Sequence, residues 1–162
     1  MAETLSVTDM LPNKFEPKRN YRWVLAIEGI DSFLVTSTNR PTVNINPVKI
    51  DYINSYRRVA GKLEYQDISF TIHDPIAPSG AQQVMEWIRT HYESVSGRAG
   101  YADFYKRDIQ LKLLDPIGTV VELWDIKGAF ISSANFQGLD YSGDEIMKID
   151  VTVQYDNCVL QF

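Results

Sequence analysis

The sequence predicts a mainly β protein, an antiparallel β-sandwich or barrel with one packed α-helix and a long β-hairpin arm. Three observations indicate this fold class. Apolar and polar residues alternate in several segments of strand length, helical spacing of apolar residues occurs in one segment, and no internal repeat of solenoid or propeller period is present. We therefore expect about seven or more strands and one helix packed around one core.

Length and composition fit one domain over residues 1–162, because a chain with 44% apolar and 23% charged residues can bury a substantial core. The formal net charge of −5 argues against a surface that grips nucleic acid, which requires a basic stripe. Residues 1–19 are interpreted as an N-terminal extension without the apolar core of a signal peptide. The longest apolar run, residues 23–27, is too short to span a membrane, so we expect no membrane contact.

Two short segments near the N terminus predict the first strands. Residues 21–28 alternate between apolar and polar side chains, as a half-buried strand does. A turn over residues 29–31 leads to residues 33–39, which are rich in β-forming side chains. The two segments together predict a hairpin.

The long arm is predicted over residues 43–73. Two extended segments, residues 43–55 and 63–73, enclose a stretch that we interpret as the turn of a long hairpin. In the second segment the apolar side chains change parity, which predicts a bulge or a change of face near Gln66 and Asp67.

Residues 79–96 carry the helical pattern. Ser79, followed three residues later by Gln82, is typical of a helix start. Apolar residues recur at helical spacing on one side of the segment, so the helix is expected to lie against a sheet. Gly97 is a natural C-terminal stop.

The second half of the chain predicts a further hairpin and a final strand. Residues 109–113 alternate, a tight turn with proline and glycine follows at residues 115–118, and residues 119–133 run back through the sheet. Residues 135–144 are predicted to form a polar loop. In residues 147–155 apolar and polar residues alternate, which predicts a strand with one face in the core and the other exposed to solvent. The polar set is Lys148, Asp150, Thr152 and Gln154.

The sequence carries no recognisable catalytic or metal-binding motif, so we expect no enzymatic activity, no metal site and no cofactor. Ser69 and His73 lie four residues apart on one extended strand, about 13 Å, and cannot touch. The other histidine, His91, is interpreted as a packing residue of the helix. The acidic residues of the 135–144 loop and its flank do not have EF-hand spacing, and we interpret them as solvated. The lone Cys158 is interpreted as a small packed apolar residue and suits a reducing compartment.

The predicted arm requires a partner. Its central part, residues 48–65, places apolar and charged side chains on both faces, and a long unpaired hairpin edge aggregates unless another strand covers it. A neighbouring copy is the simplest cover, and arms paired around a ring would close a large barrel with a polar central hole. The predicted subunit interface consists of Ile50, Tyr52, Ile53, Tyr56, Arg57, Arg58, Val59, Lys62, Leu63 and Tyr65.

A more specific motif runs through the arm and the strand after it. It consists of Tyr56-Arg57-Arg58-Val59-Ala60-Gly61-Lys62, then Tyr65, Asp67, Ser69-Phe70-Thr71-Ile72 and Asp74, and then a helix with Trp87. This motif resembles the central motif of the tail tube proteins of contractile-tailed phages. The order of the predicted elements agrees with that family over residues 20–155.

The resemblance implies a homo-hexameric ring that stacks into a helical tube. It implies a contractile sheath, a baseplate with its hub and a tape measure protein as partners, and DNA that passes through the lumen during ejection without sequence-specific binding. The location implied is the virion tail, after assembly in the cytoplasm of the host bacterium. Type VI secretion and pyocin-like inner tubes are related in fold, so an inner tube protein of a contractile injection system is the alternative.

A lumen for DNA should repel the polyanion mildly, since cationic contacts would hold it. The net charge of −5 and the polar side of residues 147–155 fit such a wall. We therefore hypothesise that Lys148, Asp150, Thr152 and Gln154 face the lumen.

The sequence also leaves three other functions open. A monomeric β-barrel that binds a small apolar ligand would have an internal cavity and would not assemble. A small hydrolase would lose activity on substitution of His73 or His91. A baseplate or terminator component built on the same fold is the third rival.

Overall fold

Antiparallel strands dominate the structure, a computed structural model that describes residues 6–10 and 14–162. The predicted mainly β class is confirmed. The strands are β1 Trp23–Ile27, β2 Val35–Thr38, β3 Val43–Tyr52, β4 Ser55–Tyr65, β5 Ile68–His73, β6 Arg107–Leu114, β7 Val120–Asn135, β8 Lys148–Gln154 and β9 Asn157–Leu160. The helices are α1 Val7–Met10, α2 Gly80–His91 and α3 Ala102–Tyr105, and Ser32–Leu34 forms a short 3-10 turn.

The strands form a sandwich whose two layers share β7. The first half of β7 pairs with β6 and β9, and β6 pairs with β1; we call this set layer 1. The second half of β7 pairs with β8, followed by β5 and β2; this set is layer 2. The path is open, with β1 and β2 at its two ends, so the described strands form a sandwich and not a closed barrel.

The long strand β7 bends between the layers at Gly128. This residue has φ +67°, which favours glycine, and a Cβ there would lie 2.3 Å from the Asp156 carboxylate. A register shift between β6 and β7 accompanies the bend. Strands β8 and β9 therefore follow one another end to end along β7, in different layers.

The core lies between the layers and under helix α2. Alternate residues of β5 and β8 are fully buried, as their period-two patterns predict, and Trp87 of α2 is buried with them. The Trp87 indole donates a hydrogen bond to the Tyr105 carbonyl at 2.8 Å, which satisfies its one polar atom. Full burial of a large apolar side chain contributes about 1.5–3 kcal/mol, so this cluster supplies the main stabilising term.

The predicted hairpin of the first two strands is wrong. Strand β1 pairs with β6 in layer 1, and β2 pairs with β5 in layer 2. Between them Gly29 has φ +83°, and the 3-10 turn places Leu34 in the core together with Ile30. The connection thus carries the chain from one layer to the other instead of folding it back.

The predicted position of the hairpin turn and the predicted length of the arm are wrong. Tyr52 pairs with Ser55, so the chain reverses at Ile53 and Asn54, and the stretch predicted to form the turn lies inside β4. The hairpin is residues 43–65, which we call the arm, and residues 68–73 belong to layer 2. The break at residues 66–67, where the sequence predicts a change of face, is the point at which the chain leaves the arm.

Helix α2 begins where predicted but ends five residues early, at His91 instead of residue 96. Ser79 is the N-cap residue, yet its side chain makes no capping bond; the Asp74 carboxylate accepts the hydrogen bond of the Ala81 N–H at 3.2 Å instead. After the helix, Tyr92 is extended and bridges to Ala99, which stops the helix before Gly97. Helices α1 and α3 and strand β9 were not predicted.

The predicted tight turn at residues 115–118 is present, and the Asp115 carboxylate accepts hydrogen bonds from the Ile117 and Thr119 N–H groups at 3.0 and 2.7 Å. The loop after β7 contains neither helix nor strand up to β8. Part of the predicted N-terminal extension, residues 1–5 and 11–13, lies outside the described residues. In the described ranges, no helix has both the length and the apolar character needed to cross a membrane.

Candidate functional site

The arm is a two-stranded sheet that projects from the sandwich. Ten residues of β3 extend it by about 30 Å, and each of them is exposed. On β4, Gly61 and Tyr65 are half-buried and the remaining residues are exposed. Large apolar side chains are among the exposed ones: Ile50 is 53% exposed, Tyr52 74% and Ile53 83%. Such a surface is unfavourable in water unless a partner covers it.

The two faces of the arm differ near its tip. The register pairs Val48 with Val59 and Ile50 with Arg57, so these side chains share one face with Tyr52. We call this set the apolar face: Val48, Ile50, Tyr52, Arg57 and Val59. The guanidinium of Arg57 is the one charge in it.

The opposite face near the tip is charged and centred on Tyr56. The Lys49 ammonium lies 4.7 Å and the Arg58 guanidinium 5.3 Å from the centre of the Tyr56 ring. Lys49 also pairs with Asp51 at 3.2 Å. Arg57 and Arg58, although adjacent in sequence, therefore lie on opposite faces, and neither takes part in an ion pair within the described part of the chain.

A bulge at Gly61 switches the faces along the arm. Between the pairs Ile45–Leu63 and Pro47–Ala60, β4 has one residue more than β3. A Cβ on Gly61 would lie 2.3 Å from the Asn46 carbonyl oxygen, so the close approach of the strands requires glycine. Beyond the bulge, Leu63 points to the same side as Tyr56, because one extra residue inverts the parity of β4.

The predicted interface residues thus do not form one surface. Four of them, Ile50, Tyr52, Arg57 and Val59, belong to the apolar face. The others lie elsewhere: Tyr56, Arg58, Leu63 and Tyr65 on the opposite face, Lys62 at the bulge and Ile53 in the turn. Ile53 has φ +50° at a turn position that favours glycine, so an exposed β-branched residue holds a strained backbone there.

The root of the arm is fixed to the sandwich through Tyr65. Its hydroxyl donates a hydrogen bond to the Asn157 side-chain oxygen at 2.9 Å, and its ring lies 5.5 Å from that of Tyr155. Burial is the main cause that raises the pKa of Tyr155 to about 12, so this phenol stays neutral. The root is therefore held by packing as well as by the chain connection.

A buried carboxylate, Glu122, ties the link to the arm and the N-terminal segment to layer 1. It accepts hydrogen bonds from the Lys18 ammonium and from the Trp124 indole, and the Arg40 guanidinium lies 3.6 Å away in the link between β2 and the arm. Burial raises the pKa of Glu122, but the Lys18 and Trp124 hydrogen bonds and the two cations outweigh it and lower the pKa overall. Sequence reasoning missed this residue, although a glutamate at an inward position between Val120 and Trp124 was the available signal.

The predicted lumen residues occupy the outer side of β8, opposite its buried residues. Lys148 and Gln154 are exposed, while Asp150 and Thr152 are half-buried. The Asp150 carboxylate accepts hydrogen bonds from Gln137 at 3.0 Å and Thr71 at 2.8 Å, which lower its pKa. This side of layer 2 is a hydroxyl- and amide-rich surface with charges of both signs, and its assignment to a lumen stays a prediction.

The residues considered for chemistry are dispersed. The Ser69 hydroxyl lies 3.3 Å from that of Thr152, and the His91 ring packs 4.6 Å from the Tyr105 ring. Burial raises the pKa of the Cys158 thiol to about 11, which keeps it protonated. The described residues contain no group of three side chains placed to hold a metal ion.

The open cleft beside Trp23 and Leu113 has a volume of about 240 Å³ and is bordered by Lys18, Arg19 and Arg40. It lies at the surface next to the Glu122 contact, whereas the centre of the sandwich is filled with fully buried side chains. The ligand-binding alternative predicts an internal cavity, which this cleft is not.

No protein-family model and no curated protein matches the chain in sequence. In fold the chain is similar to the tube-terminating cap of the anti-feeding prophage, with a TM-score of 0.75 and 19% identity over 97% of this chain and 99% of the other. It is also similar to a chain of the sheath–tube complex of an extracellular contractile injection system, with a TM-score of 0.72 and 16% identity over 98% and 99% of the two chains.

A third similar structure is a chain of the six-fold symmetrised baseplate of the anti-feeding prophage, with a TM-score of 0.70 and 10% identity over 91% of this chain and 97% of the other. At these identities the likeness establishes the fold. The fold implied by the sequence motif is thereby confirmed: the chain has the fold of tube and cap proteins of contractile systems.

Proposed function

We propose that the chain is a structural subunit of the inner tube of a contractile tail, which closes into rings that stack. The arm is the observation that carries this proposal. It exposes the apolar face and two unpaired strand edges to water, and only association removes that cost. The fold that the chain shares with proteins of sheath–tube complexes and tube caps supports the same conclusion.

The arm is better suited to contact than to a role in the stability of its own domain. Its strands pair with each other and not with either layer of the sandwich. Ile53 keeps an exposed apolar side chain at a position where glycine would relieve the backbone, which is expected where the side chain serves a contact. We therefore assign the predicted interface residues to contacts between copies.

The finer form of the proposal is a phage tail tube built from homo-hexameric rings, with DNA as the passing cargo. Its partners are the sheath, the baseplate with its hub and the tape measure protein, and its place is the virion tail. The polar outer side of β8, with Lys148, Asp150, Thr152 and Gln154, faces the lumen in this proposal. The protein acts as a structural subunit and not as an enzyme.

The second candidate is an inner tube protein of a contractile injection system. One observation favours it: similar structures come from the anti-feeding prophage and from an extracellular contractile injection system. Both candidates use the same rings and the same arm, and they differ in the cargo.

Negative-stain electron microscopy and light scattering of the purified protein test the proposal. We expect rings and long hollow filaments that form with increasing protein concentration. Replacement of two side chains of the apolar face, Ile50→Ser with Val59→Ser, should leave the fold intact and prevent assembly.

The matched control is Val95→Ser with Ile117→Ser, because these side chains are 93% and 87% exposed outside the arm. The control should assemble as the wild type does. A wild-type protein that stays monomeric at high concentration contradicts the proposal, and single rings without filaments favour a terminator or baseplate role.

A further inference from the structure

The arm and the loop of residues 136–147 leave the sandwich at opposite ends of layer 2. The arm ends just before Ile68, which pairs with Val153 near the end of β8. The loop joins β7 to β8 and ends at Lys148, which pairs with His73. The length of β8, about 20 Å, separates the two points. No hydrogen bond or ion pair between described residues joins the loop to the tip of the arm, residues 48–59.

The loop, which we call the acceptor loop, exposes apolar side chains as the arm does. Leu139 is 83% and Ile146 70% exposed, and Tyr141 is fully exposed. A turn held by hydrogen bonds from the Ser142 and Gly143 N–H groups to Asp140 gives the loop a defined shape. It is therefore a second exposed apolar surface, at the far end of the same layer.

The charges of the two surfaces are opposite. The arm contains Lys49, Arg57, Arg58 and Lys62 against Asp51 and Glu64, a formal charge of +2 in a chain of net charge −5. The acceptor loop contains Asp140, Asp144 and Glu145 and no cation, a formal charge of −3. Each surface thus mixes apolar side chains with charges of one predominant sign, and each complements the other.

We propose that the tip of the arm docks onto the acceptor loop of the next copy, so that rings stack head to tail through this contact. The inference rests on the proposed function and adds the surface that receives the arm. Leu139, Tyr141 and Ile146 cover the apolar face, and Arg57, placed within that face, meets the carboxylates of Asp144 and Glu145. Arg58, on the charged face, adds to the attraction at longer range.

This contact is heterologous, because it joins two different surfaces of the same chain. Copies joined in this way can add without limit along one direction, which suits a filament. A stack also has two unlike ends, since free arms remain at one end and free acceptor loops at the other.

A charge-swap experiment on the full chain tests the contact. The arm variant carries Arg57→Glu and Arg58→Glu, and the loop variant carries Asp144→Lys and Glu145→Lys. Asp140 is left unchanged because its carboxylate accepts the hydrogen bond of the Ser142 N–H at 3.0 Å. The control variant, Glu86→Lys with Asp103→Lys, makes the same change of charge as the loop variant but outside both surfaces, and it is expected to assemble.

We expect each swapped variant to keep its circular dichroism spectrum and thermal midpoint. The critical concentration for filaments, followed by sedimentation and negative-stain microscopy, should rise tenfold or more in each. An equimolar mixture of the two variants should form filaments again, because every contact in an alternating stack is then either native or fully swapped. The variant with all four substitutions should recover as well.

Filaments of the loop variant at the wild-type critical concentration overturn the docking proposal, as does a folded four-fold variant that fails to recover. Either result leaves the proposed function standing as long as the wild-type protein forms tubes. A wild-type protein that forms no tubes removes the proposed function itself.

Discussion

The indole nitrogen of Trp124 donates a hydrogen bond to the carboxylate of Glu122, two residues earlier on the same strand, at 2.5 Å. Lys18 donates to the other carboxylate oxygen, and Arg40 lies 3.6 Å from the first. Three separate parts of the chain therefore meet at one buried charge: the N-terminal segment, the link to the arm and strand β7. A charge in this position stabilises the fold only while its partners remain.

The first prediction concerns Glu122→Gln and pH. The pKa of Glu122 is lower in the fold than its ordinary value of 4.5, so its contribution is complete above that pH and is lost as the pH falls through the lower folded-state value. We expect the substitution to reduce the free energy of unfolding by about 1–3 kcal/mol at neutral pH. Urea unfolding at pH 7 and in strong acid should show this difference shrinking as the pH falls.

The exposed Glu64→Gln on the arm is the control for that series, and it should change the free energy of unfolding little at either pH. A difference between wild type and Glu122→Gln that stays constant from neutral to strongly acidic pH would contradict the role assigned to the carboxylate.

The second prediction compares two glycines with nearly the same backbone. Gly128 has φ +67° and lies close to the Asp156 carboxylate, whereas Gly97 has φ +69° and a Cβ added there would have no atom within 4 Å. Gly97→Ala should cost about 1–2 kcal/mol for the left-handed backbone alone. Gly128→Ala should cost more, because it also displaces Asp156 from Lys106. If thermal unfolding shows the same loss of stability for both variants, the Asp156 side chain moves away from the new Cβ at no energetic cost.

The third prediction concerns the root of the arm. Tyr65→Ala removes the ring contact with Tyr155 and the hydrogen bond to Asn157, and we expect a loss of about 1 kcal/mol in the free energy of unfolding. Hydrogen exchange should accelerate in β4 and β9. Tyr141→Ala, at a fully exposed side chain outside the arm, is the control and should leave the free energy of unfolding and the exchange rates in β4 and β9 of the monomer unchanged. Slow exchange in β4 of the Tyr65 variant would show that the root is held in another way.

The fourth prediction concerns the bulge. Gly61→Ala places a Cβ against the Asn46 carbonyl, so the strands must move apart at the bulge, which displaces the apolar face relative to the sandwich. Assembly should need at least about tenfold more protein, equivalent to about 1.4 kcal/mol per contact. Sedimentation measures this change, while the thermal midpoint of the monomer should stay close to the wild-type value. Ala60→Ser, which adds one atom at the neighbouring position, should assemble normally.

The strands whose two faces differ strongly could be predicted from the sequence. In β8, Ile149, Val151 and Val153 are buried and the residues between them are not, because period-two alternation leaves one arrangement that buries the apolar side. The same reasoning failed for the partners of β1 and β2. Strand pairing depends on contacts between residues that are distant in sequence. A glycine-containing turn does not show whether the next strand pairs with the preceding one or joins the other layer.

The arm was predicted, but its geometry was not. The turn lies at Ile53 and Asn54, and a β-branched residue at positive φ is not a turn signal in sequence. The bulge at Gly61 then separates side chains that alternate along the chain. The turn itself, which pairs Tyr52 with Ser55, places Arg57 on the apolar face and Tyr56 on the opposite one, although the sequence pattern grouped side chains by type.

Strand β7 gives the sandwich a mechanical property. Because its backbone runs through both layers, the layers cannot shear past each other unless β7 breaks its hydrogen bonds to β6 and β8. A pull on the arm enters layer 2 through β2 and β5, and β7 carries part of it on into layer 1, beside the Arg40–Glu122 and Tyr65–Asn157 contacts. The bend at Gly128 is then the point at which the force changes direction, and the Asp156 side chain packs against it.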